Sequence, residues 1–275
     1  MGIGIIGQGF VGNAVYQKFK NYYDIKTFDI KGMVYCNSGE QETMSCDVVF
    51  ICLPTPMNQD GSCHTDIVEE AVASISGLSK GNIVVIKSTI PPGTVAKWNK
   101  RYDNLNIVFN PEFLTEANAV KDYEDQTRII LGGPRKSTTK LKPLFSKAFP
   151  KAHIIKTDST YAEMIKYVTN CFLATKVSFA NEMYDICEGL GVDYDKVIEY
   201  ATYDERLGTS HWSVPGPDGD RGYGGHCFPK DVNALIQIAL KLDILPPSML
   251  ITTNKKNKDV RLNHDWEGMK GRAVI

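Results

Sequence analysis

The stretch Gly2-Ile3-Gly4-Ile5-Ile6-Gly7-Gln8-Gly9-Phe10-Val11-Gly12 decides the fold of this chain. A short apolar run leads into three glycines with the spacing G-x-G-x-x-G, and apolar residues then recur at helical spacing. This order is typical of a strand, a tight turn and a helix. Asp29 closes the next predicted strand, residues 26–30, so the stretch has the features of a dinucleotide-binding fingerprint.

Each residue type in this fingerprint has a physical role. Gly7 allows the turn, Gly9 lets a pyrophosphate reach the backbone and the helix N-terminus, and Gly12 permits close packing of helix on strand. The Asp29 carboxylate would accept hydrogen bonds from ribose hydroxyls, which favours NAD over NADP. A tight turn with an ordinary exposed aspartate is the alternative. The predicted NAD-binding residues here are Gly7, Gly9, Phe10, Val11, Gly12 and Asp29.

Two later strands are predicted to end beside the cofactor. Residues 46–53 are too apolar for a half-exposed strand, which indicates a buried parallel strand, and they end in Pro54-Thr55-Pro56. A further strand at 82–88 leads to Thr89. Because ligands bind beyond the carboxyl ends of strands in open α/β sheets, Thr55 and Thr89 are predicted to contact NAD. Capping of the next helix is the alternative for Thr89.

The strand predicted at 107–110 leads to Glu112 and Glu116. A spacing of four would put both carboxylates on one face of a helix, and solvated surface acids are the alternative. Two additional strands follow. We therefore predict an α/β fold with a doubly wound Rossmann-type parallel sheet in residues 1–157.

Residues 160–188 contain no Gly or Pro, and apolar residues recur along them at helical spacing. They predict a helix of about 28 residues, some 40 Å long at about 1.5 Å per residue. A helix of this length needs apolar partners on several sides, so we expect it to link two domains or to form a dimer interface. Lys166 and Asn170 lie one turn apart on one face of it. A lysine whose ammonium group reaches solvent is the alternative.

A small all-α domain is predicted for residues 158–260, with a long loop at 204–228 and a helix at 230–241. The loop runs into Gly222-Tyr223-Gly224-Gly225-His226-Cys227-Phe228-Pro229-Lys230-Asp231. Glycines let a ligand approach the backbone closely, and Pro229 limits how the turn continues, so this stretch is suited to presenting a thiol to a substrate. The alternative is a Gly-rich turn that contains one of the seven cysteines by chance.

Composition limits the class of protein. The 275 residues, 43% hydrophobic and 23% charged, are typical of a soluble globular protein with room for two domains. Lys+Arg 31 balance Asp+Glu 32, so no nucleic-acid or membrane partner is expected. No basic leader and no apolar run of spanning length are present, and we expect a cytoplasmic location. Scattered cysteines without a CxxC pair predict reduced thiols and no metal site.

Taken together, these motifs closely resemble the UDP-glucose/GDP-mannose dehydrogenase family. The motif around Cys227 is the most specific, since no general structural need places a cysteine between Gly-Gly and Phe-Pro-Lys-Asp. The segment Pro215-Gly216-Pro217-Asp218-Gly219 is more similar to the UDP-glucose branch than to the GDP-mannose branch. The other matching stretches are Gly7-Gln8-Gly9-Phe10-Val11-Gly12, Lys87-Ser88-Thr89, Asn110-Pro111-Glu112-Phe113-Leu114, and Lys166 with Asn170 and Phe172-Leu173-Ala174.

The resemblance implies an NAD-dependent nucleotide-sugar 6-dehydrogenase that oxidises UDP-glucose to UDP-glucuronate by four electrons. Cys227 is implied as the nucleophile that holds first a thiohemiacetal and then a thioester. Lys166 and Asn170 are implied as donors to the oxyanions. Asp231 is implied in water and proton handling during the first oxidation and Glu112 in thioester hydrolysis, with Thr89 as a further catalytic residue.

The resemblance also implies the remaining binding residues and the partners. Glu116 joins the NAD-binding set, and both Glu116 and Arg206 match positions near the substrate pocket and the neighbouring subunit. The nucleotide-sugar substrate and a second copy of the chain are the implied partners, with a homodimer formed through the long helix and the central helical domain. The implied substrate-binding residues are Glu112, Phe113, Leu114, Lys166, Asn170, Arg206, Tyr223 and Gly224.

Family members normally continue into a second α/β domain, so residues 261–275 are interpreted as the start of an absent third domain, in a naturally short variant or a fragment. Three alternatives for the function stay open. The first is a nucleotide-sugar 6-dehydrogenase whose substrate is GDP-mannose or UDP-N-acetylmannosamine. A two-electron β-hydroxyacid dehydrogenase, the second, has no use for Cys227. The third is a catalytically inactive NAD-binding or dimerising module.

Overall fold

The computed structural model of the chain describes residues 1–78, 81–242 and 244–275. The backbone forms two compact units, the first Met1–Thr55 with Thr65–Lys166 and the second Pro56–His64 with Tyr167–Ile275. The division falls inside the long helix, at a later residue than the predicted boundary at 157. The reason is packing, since Ala162 and Ile165 of that helix belong to a hydrophobic core of the first unit.

The first unit contains a seven-stranded sheet. The strands are β1 (Ile3–Ile6), β2 (Ile25–Phe28), β3 (Val48–Ile51), β4 (Ile83–Ile86), β5 (Asn106–Phe109), β6 (Arg128–Gly132) and β7 (His153–Thr157). Their order in the sheet is β2-β1-β3-β4-β5-β6-β7. The chain therefore changes direction across the sheet between β1 and β3, which is where open α/β sheets bind ligands.

Helices cover both faces of this sheet. They are α1 (Phe10–Phe19), α2 (Glu40–Met44), α3 (Asp66–Leu78), α4 (Thr94–Arg101), α5 (Ala119–Glu124), α6 (Arg135–Ala148) and α7 (Ser159–Leu190). One core packs residues of α1, α5 and α6 against the sheet, and a second core packs residues of α3 and α4 against it. The uninterrupted apolar sequence of β1, β3 and β4 follows from this double cover, because every residue of these strands is buried. The predicted doubly wound Rossmann-type fold is confirmed.

One pair of strands departs from the predicted parallel sheet. β5 and β6 pair antiparallel through Phe109 and Gly132, whereas the other neighbours are parallel. After β5 the chain passes through the short helix α5 and enters β6 in the opposite direction. This reversal could not be predicted, because antiparallel and parallel buried strands have the same apolar pattern in the sequence.

The second unit is helical in its described residues, apart from isolated β-bridges. It contains the rest of α7 together with α8 (Tyr194–Ala201), α9 (Phe228–Lys241) and α10 (Ser248–Val260). α7 has 32 residues, somewhat more than predicted, and ends before Gly191, whose φ of 69° terminates it. The helix α10 was not predicted, because its second half is polar on most faces and gives no apolar stripe.

The last residues of the chain pack within this second unit. The Met57 amide donates to the Ala273 carbonyl at 2.8 Å, and the Ile275 amide donates to the Met57 carbonyl at 3.2 Å. Ala273 and Ile275 therefore pair with Met57, a residue far away in the sequence. Within the described part of the chain, no helix is long and apolar enough to cross a membrane.

Candidate active site

The glycine turn between β1 and α1 has the geometry that the fingerprint predicts. Gly7 has a φ of 88°, and a Cβ built on it would lie 2.5 Å from the Cys52 carbonyl oxygen. A Cβ on Gly12 would lie 1.9 Å from the Gly7 carbonyl oxygen. Gly9 differs, because no atom outside its chain neighbours lies within 4 Å of a Cβ built there. This open space beside the first N–H groups of α1 fits a pyrophosphate.

Asp29 follows β2 and binds the same turn. Its Oδ2 accepts a hydrogen bond from the Gln8 amide at 2.8 Å, and its Oδ1 accepts one from the Lys31 amide at 2.8 Å. Each carboxylate oxygen has a second lone pair with which to accept from a ribose hydroxyl. Asp29 therefore fixes the glycine turn and also fits the predicted ribose contact.

A cleft of about 340 Å³ adjoins the start of α1. Phe10 and Glu116 both line it, so the fold brings together two predicted NAD-binding residues that are far apart in sequence. Asn13 and Asn118 line it as well. Sequence reasoning missed these two amides, because single asparagines outside a motif carry no signal.

Thr55 and Thr89 are both buried in loops that follow β3 and β4. These loops are joined directly, since the Ser88 hydroxyl donates to the Leu53 carbonyl at 2.6 Å. The residue that caps α4 is Gly93, so helix capping does not explain Thr89. Both threonines lie in loops at the carboxyl edge of the sheet, where the sequence predicted them.

Glu112 and Lys166 form a buried ion pair in the first unit. The Lys166 Nζ lies 2.7 Å from Glu112 Oε1 and donates to the Glu112 carbonyl at 2.6 Å, while Glu112 Oε2 accepts from the Leu114 amide at 2.8 Å. The two side chains are only 3% and 6% exposed. Lys166 therefore does not reach solvent, and Glu112 is not a surface acid.

The ion pair controls the charge of Glu112. Burial raises the pKa of this carboxyl, but the Lys166 charge and hydrogen bond outweigh burial and hold the pKa below its ordinary value. Glu112 is thus an ionised carboxylate at neutral pH, which is the form that accepts a proton from water. The Lys166 Nζ also lies 5.6 Å from the centre of the Phe113 ring, within cation–π range.

Glu116 does not share a helical face with Glu112, so that prediction is wrong. Residues 111–118 form an irregular segment between β5 and α5. The Glu112 carboxylate accepts from the amide two residues later, a local turn that competes with helix formation. Glu112 is consequently buried beside Lys166, whereas Glu116 is exposed.

Lys87 is a buried lysine for which the sequence suggested no role. Its Nζ donates to Asn110 Oδ1 at 2.9 Å and to the Asn110 carbonyl at 3.2 Å, and it lies 5.1 Å from the centre of the Tyr123 ring. Burial lowers the pKa of Lys87 to about 8. The Asn110 side-chain Nδ2 in turn donates to the Ile130 carbonyl at 2.8 Å. This chain of contacts fixes the end of β5 two residues before Glu112.

Glu163 is another residue that sequence reasoning missed. This fully buried carboxylate accepts from the Gly93 amide at 2.6 Å and from the Val95 amide at 2.9 Å. It caps α4 from another helix, because Gly93 itself has no side chain to do so. Burial raises the pKa of Glu163 to about 7. Glu163 and Lys166, one turn apart on α7, thereby hold the loops that follow β4 and β5.

In the second unit, Cys227 is the residue that precedes α9, and it is half-buried. Pro229 lies in the first turn of the helix, where its missing N–H costs no hydrogen bond. The Asp231 amide donates to the Cys227 carbonyl at 3.0 Å. A helix N-terminus favours negative charge, so this position suits a thiolate.

Asp231 is 1% exposed and is bound by two side chains. The Asn170 amide donates to Oδ2 at 2.6 Å, and the Lys230 Nζ lies 2.5 Å from Oδ1. Burial lowers the pKa of Lys230, but the charges of Asp231 and Cys227 outweigh burial and leave it above its ordinary value. The structure thus joins Asn170 to Asp231, two predicted catalytic residues, one turn after Cys227.

Two glycines of the thiol loop lie against side chains of the second unit. A Cβ on Gly222 would lie 2.4 Å from Asn257 Oδ1, and a Cβ on Gly224 would lie 2.2 Å from Arg261 Nη2. On the side of the Cβ position, these two glycines leave room for the chain's own side chains. At Gly225, by contrast, no atom outside its chain neighbours lies within 4 Å of a built Cβ.

The predicted substrate residues Tyr223 and Arg206 have contrasting surroundings. The Tyr223 side chain is buried in a hydrophobic core with Tyr167 and Cys171, and its backbone exchanges two hydrogen bonds with the Asn257 side chain, at 2.7 and 2.9 Å. The Arg206 side chain is 87% exposed, and its guanidinium pairs with Asp204. Among the described residues, no group of three His, Cys, Asp or Glu is arranged to hold a metal ion.

Comparison with known proteins identifies the family. The NAD binding domain of the UDP-glucose/GDP-mannose dehydrogenase family matches residues 26–149, and the central domain of the same family matches residues 160–259. The chain belongs to the UDP-glucose/GDP-mannose dehydrogenase family. NAD is the cofactor of the first unit, and the open space at Gly9 and the Asp29 carboxylate fit it.

Individual dehydrogenases of the family are similar over most of this chain. A UDP-glucose 6-dehydrogenase of Rickettsia bellii is 32% identical over 252 residues, which are 89% of this chain and 57% of that protein. A UDP-glucose 6-dehydrogenase of Bacillus subtilis is 37% identical over 74% of this chain and 46% of its own length. The structure of a UDP-glucose dehydrogenase from Pyrobaculum islandicum superimposes with a TM-score of 0.84 at 26% identity, over 94% of this chain and 68% of that one. The chain thus spans about half the length of the curated relatives that it matches.

Proposed function

We propose that this chain contains the NAD-binding and catalytic parts of a nucleotide-sugar 6-dehydrogenase that oxidises UDP-glucose to UDP-glucuronate. The observation that supports this most is Cys227 at the start of α9, followed one turn later by Asp231 with Asn170 bound to it. Oxidation of an alcohol to an aldehyde requires no nucleophilic thiol. Oxidation onward to an acid does need a nucleophile that adds to the aldehyde and gives an adduct able to lose a second hydride, and a thiolate is well suited to this addition.

NAD held by the Gly9 turn and Asp29 would supply the hydride acceptor for each of the two oxidations, so two NAD would be consumed per sugar. The Cys227 sulfur forms a bond to the C6 aldehyde carbon and gives a thiohemiacetal. Loss of hydride from that carbon leaves a thioester. Water then adds to the thioester carbon, the carbon–sulfur bond breaks, and the products are the sugar carboxylate and the Cys227 thiolate.

Asp231 is the proposed base of the first oxidation. A carboxylate that is buried and bound by Asn170 and Lys230 has a fixed orientation, and it accepts the proton of the C6 hydroxyl directly or through one water. The Asn170 amide and the Lys166 ammonium, four residues apart on α7, are the proposed donors to the oxyanions that form at C6.

Glu112 is the proposed base of thioester hydrolysis. Its low pKa, which results from pairing with Lys166, keeps it ionised and able to take a proton from the attacking water. We propose that the Thr89 hydroxyl helps to hold that water. Phe113, Leu114, Tyr223, Gly224 and Arg206 remain the proposed substrate contacts, those of Tyr223 and Gly224 being made by backbone atoms, since the Tyr223 side chain is buried.

We also propose a homodimer formed through α7. Side chains that are at least half exposed recur along this helix at helical spacing, namely those of Tyr161, Val168, Phe172 and Phe179. A second copy of the chain would cover this apolar stripe. Sedimentation analysis should show a dimer, and Phe172→Glu should shift the mass to that of a monomer. A wild-type monomer at micromolar concentration would contradict the proposal.

The test of the proposed activity is a substrate panel with NAD. UDP-glucose, GDP-mannose and UDP-N-acetylmannosamine are each supplied, and NADH and sugar acid are quantified. We expect two NADH per acid formed, with UDP-glucose as the preferred substrate. One NADH per product would contradict the thioester route and favour a two-electron dehydrogenase. No NADH with any sugar, together with intact NAD binding by calorimetry, would indicate an inactive NAD-binding module.

Cys227→Ala tests the covalent step. Acid formation should fall at least about 1000-fold, while the NAD dissociation constant should stay within about twofold of the wild-type value. Cys36→Ala, which removes a partly exposed thiol of the first unit, is the matched control and should leave both quantities unchanged. Acid formation by Cys227→Ala at the wild-type rate would rule out the thioester.

A further inference from the structure

Arg261 follows α10 and is almost completely buried in the second unit, with a side chain that is 2% exposed. Its Nη2 lies 2.8 Å from Asp218 Oδ2 and 3.2 Å from Asp265 Oδ1, and its Nε donates to the Asn263 carbonyl at 2.8 Å. A planar guanidinium with this many partners is held in one orientation. Arg261 thus joins the turn around Asp218 to the segment that follows α10.

The same guanidinium packs against the loop that carries Cys227. A Cβ on Gly224 would lie 2.2 Å from Arg261 Nη2 and 2.3 Å from Asp265 Oδ1, so only glycine lets the loop approach this ion pair. The Asp265 Oδ2 accepts a hydrogen bond from the Gly225 amide at 3.0 Å. Arg261 and Asp265 therefore hold the backbone two to three residues before Cys227.

A loop with glycines at 222, 224 and 225 does not fix its own conformation, because glycine loses more backbone entropy on ordering than any other residue. Contacts from outside the loop must do so. Some come from Asn257 near the end of α10, and others, at Gly224 and Gly225, come from Arg261 and Asp265. The segment that follows the central helices is consequently part of the support of the thiol.

We propose that Arg261, acting through Asp265, is a positioning residue for Cys227. It fixes the Gly224-Gly225 backbone and thereby the place of the thiol at the start of α9. The catalytic consequence rests on the function proposed above, but the position of the thiol is measurable without any activity.

The test compares Arg261→Met and Asp265→Asn with a matched control, Lys256→Met. Lys256 lies on α10 and pairs with Asp185 at 2.8 Å, so the control also removes an ion pair of this unit. The rate at which iodoacetamide alkylates Cys227 is followed by peptide mass spectrometry well below the unfolding temperature. Calorimetry gives NAD affinity, and the substrate panel gives kcat and KM.

For Arg261→Met and Asp265→Asn we expect Cys227 to be alkylated at least about fivefold faster, because a loosened loop exposes the half-buried thiol. We expect kcat to fall about tenfold or more, while the NAD dissociation constant stays within about twofold. Lys256→Met should match the wild type in each measurement. Arg261→Lys keeps the charge without the planar fork and should give intermediate alkylation rates.

Wild-type alkylation and kcat in a folded Asp265→Asn variant would overturn the proposal. This variant retains Arg261, so it decides the question even if Arg261→Met does not fold. If the wild-type chain forms no NADH with any nucleotide sugar, the proposed function fails, but the alkylation rates still support or refute the positioning role.

Discussion

The protonation of Glu163 provides the sharpest physical test of the first unit. Glu163 is fully buried, and its carboxylate caps α4 through the amides of Gly93 and Val95. Burial raises the pKa of Glu163, and the charge of Asp158 adds a small further rise. The hydrogen bonds from the Gly93 and Val95 amides lower the pKa in part, and its value is about 7. The perturbation is Glu163→Gln, which keeps the shape of the side chain and removes its ionisation.

The magnitude follows from the difference between the folded and unfolded pKa values, about 7 against 4.5. Because the folded chain binds the proton more tightly, this contribution to stability is fully present below pH 4.5 and is lost as pH rises through about 7. For one such group the loss amounts to about 2.5 kcal/mol between about pH 5 and pH 8. The Gln variant should lack this component.

The assay is urea denaturation of both proteins at several pH values in this window, followed by circular dichroism. The free energy of unfolding of the wild type minus that of Glu163→Gln cancels the other titrating groups, and it should fall by about 2.5 kcal/mol as pH rises. Glu182→Gln, which removes an exposed carboxylate from the same helix, should show the wild-type pH dependence. If the unfolding free energies of the wild type and Glu163→Gln change with pH in parallel, within about 0.5 kcal/mol, the raised pKa of the buried carboxylate would be refuted.

Three further predictions concern the glycine turn and the buried lysines. Gly9→Ala should abolish NAD binding in calorimetry, and its Tm should change little because the added methyl group meets open space. Gly12→Ala should abolish NAD binding and also lower Tm by several degrees, because its methyl group would meet the Gly7 carbonyl. Equal losses of Tm in the two variants would contradict the assignment. Lys166→Met should destabilise the chain by about 3–5 kcal/mol in urea unfolding, since Glu112 stays buried without its partner. Adding Glu112→Gln to this variant should recover part of the lost stability. Strict additivity of the two substitutions would show that the two groups do not interact. Burial lowers the pKa of Lys87 from 10.5 to about 8. The free energy of unfolding of the wild type minus that of Lys87→Met should therefore rise by about 2.5 kcal/mol between about pH 7 and pH 10. A difference in unfolding free energy that does not change with pH would contradict the burial of Lys87.

The elements that the sequence predicted correctly are those that depend on local chemistry. The strands and the long helix are visible as apolar periodicity, and the turn at Gly7 is visible because φ near 88° requires glycine. The stretch before Asp231 is likewise distinctive in its residue types. By contrast, α10 has no apolar stripe, and the reversal between β5 and β6 leaves no trace in the apolar pattern of the strands.

The partners of the candidate site residues are different, because they are separated by long stretches of chain. Lys166 contacts Glu112 across 54 residues, and Asn170 contacts Asp231 across 61. No periodicity relates such positions, so the sequence proposed the residues without showing that each cation or amide is bound to a carboxylate. The charge of Glu112 depends on that pairing, since burial alone would have raised its pKa.

The sequence by itself therefore determined the sheet class, the glycine turn and the long helix, since each depends on residues adjacent along the chain. Only the tertiary structure decided which charges are buried together, that Glu163 of α7 caps the helix α4, and that Arg261 occupies the space beside Gly224. These features depend on distances between side chains that meet only after the chain has folded. Burial and pairing energies act at those distances, which is why they cannot be read from spacing alone.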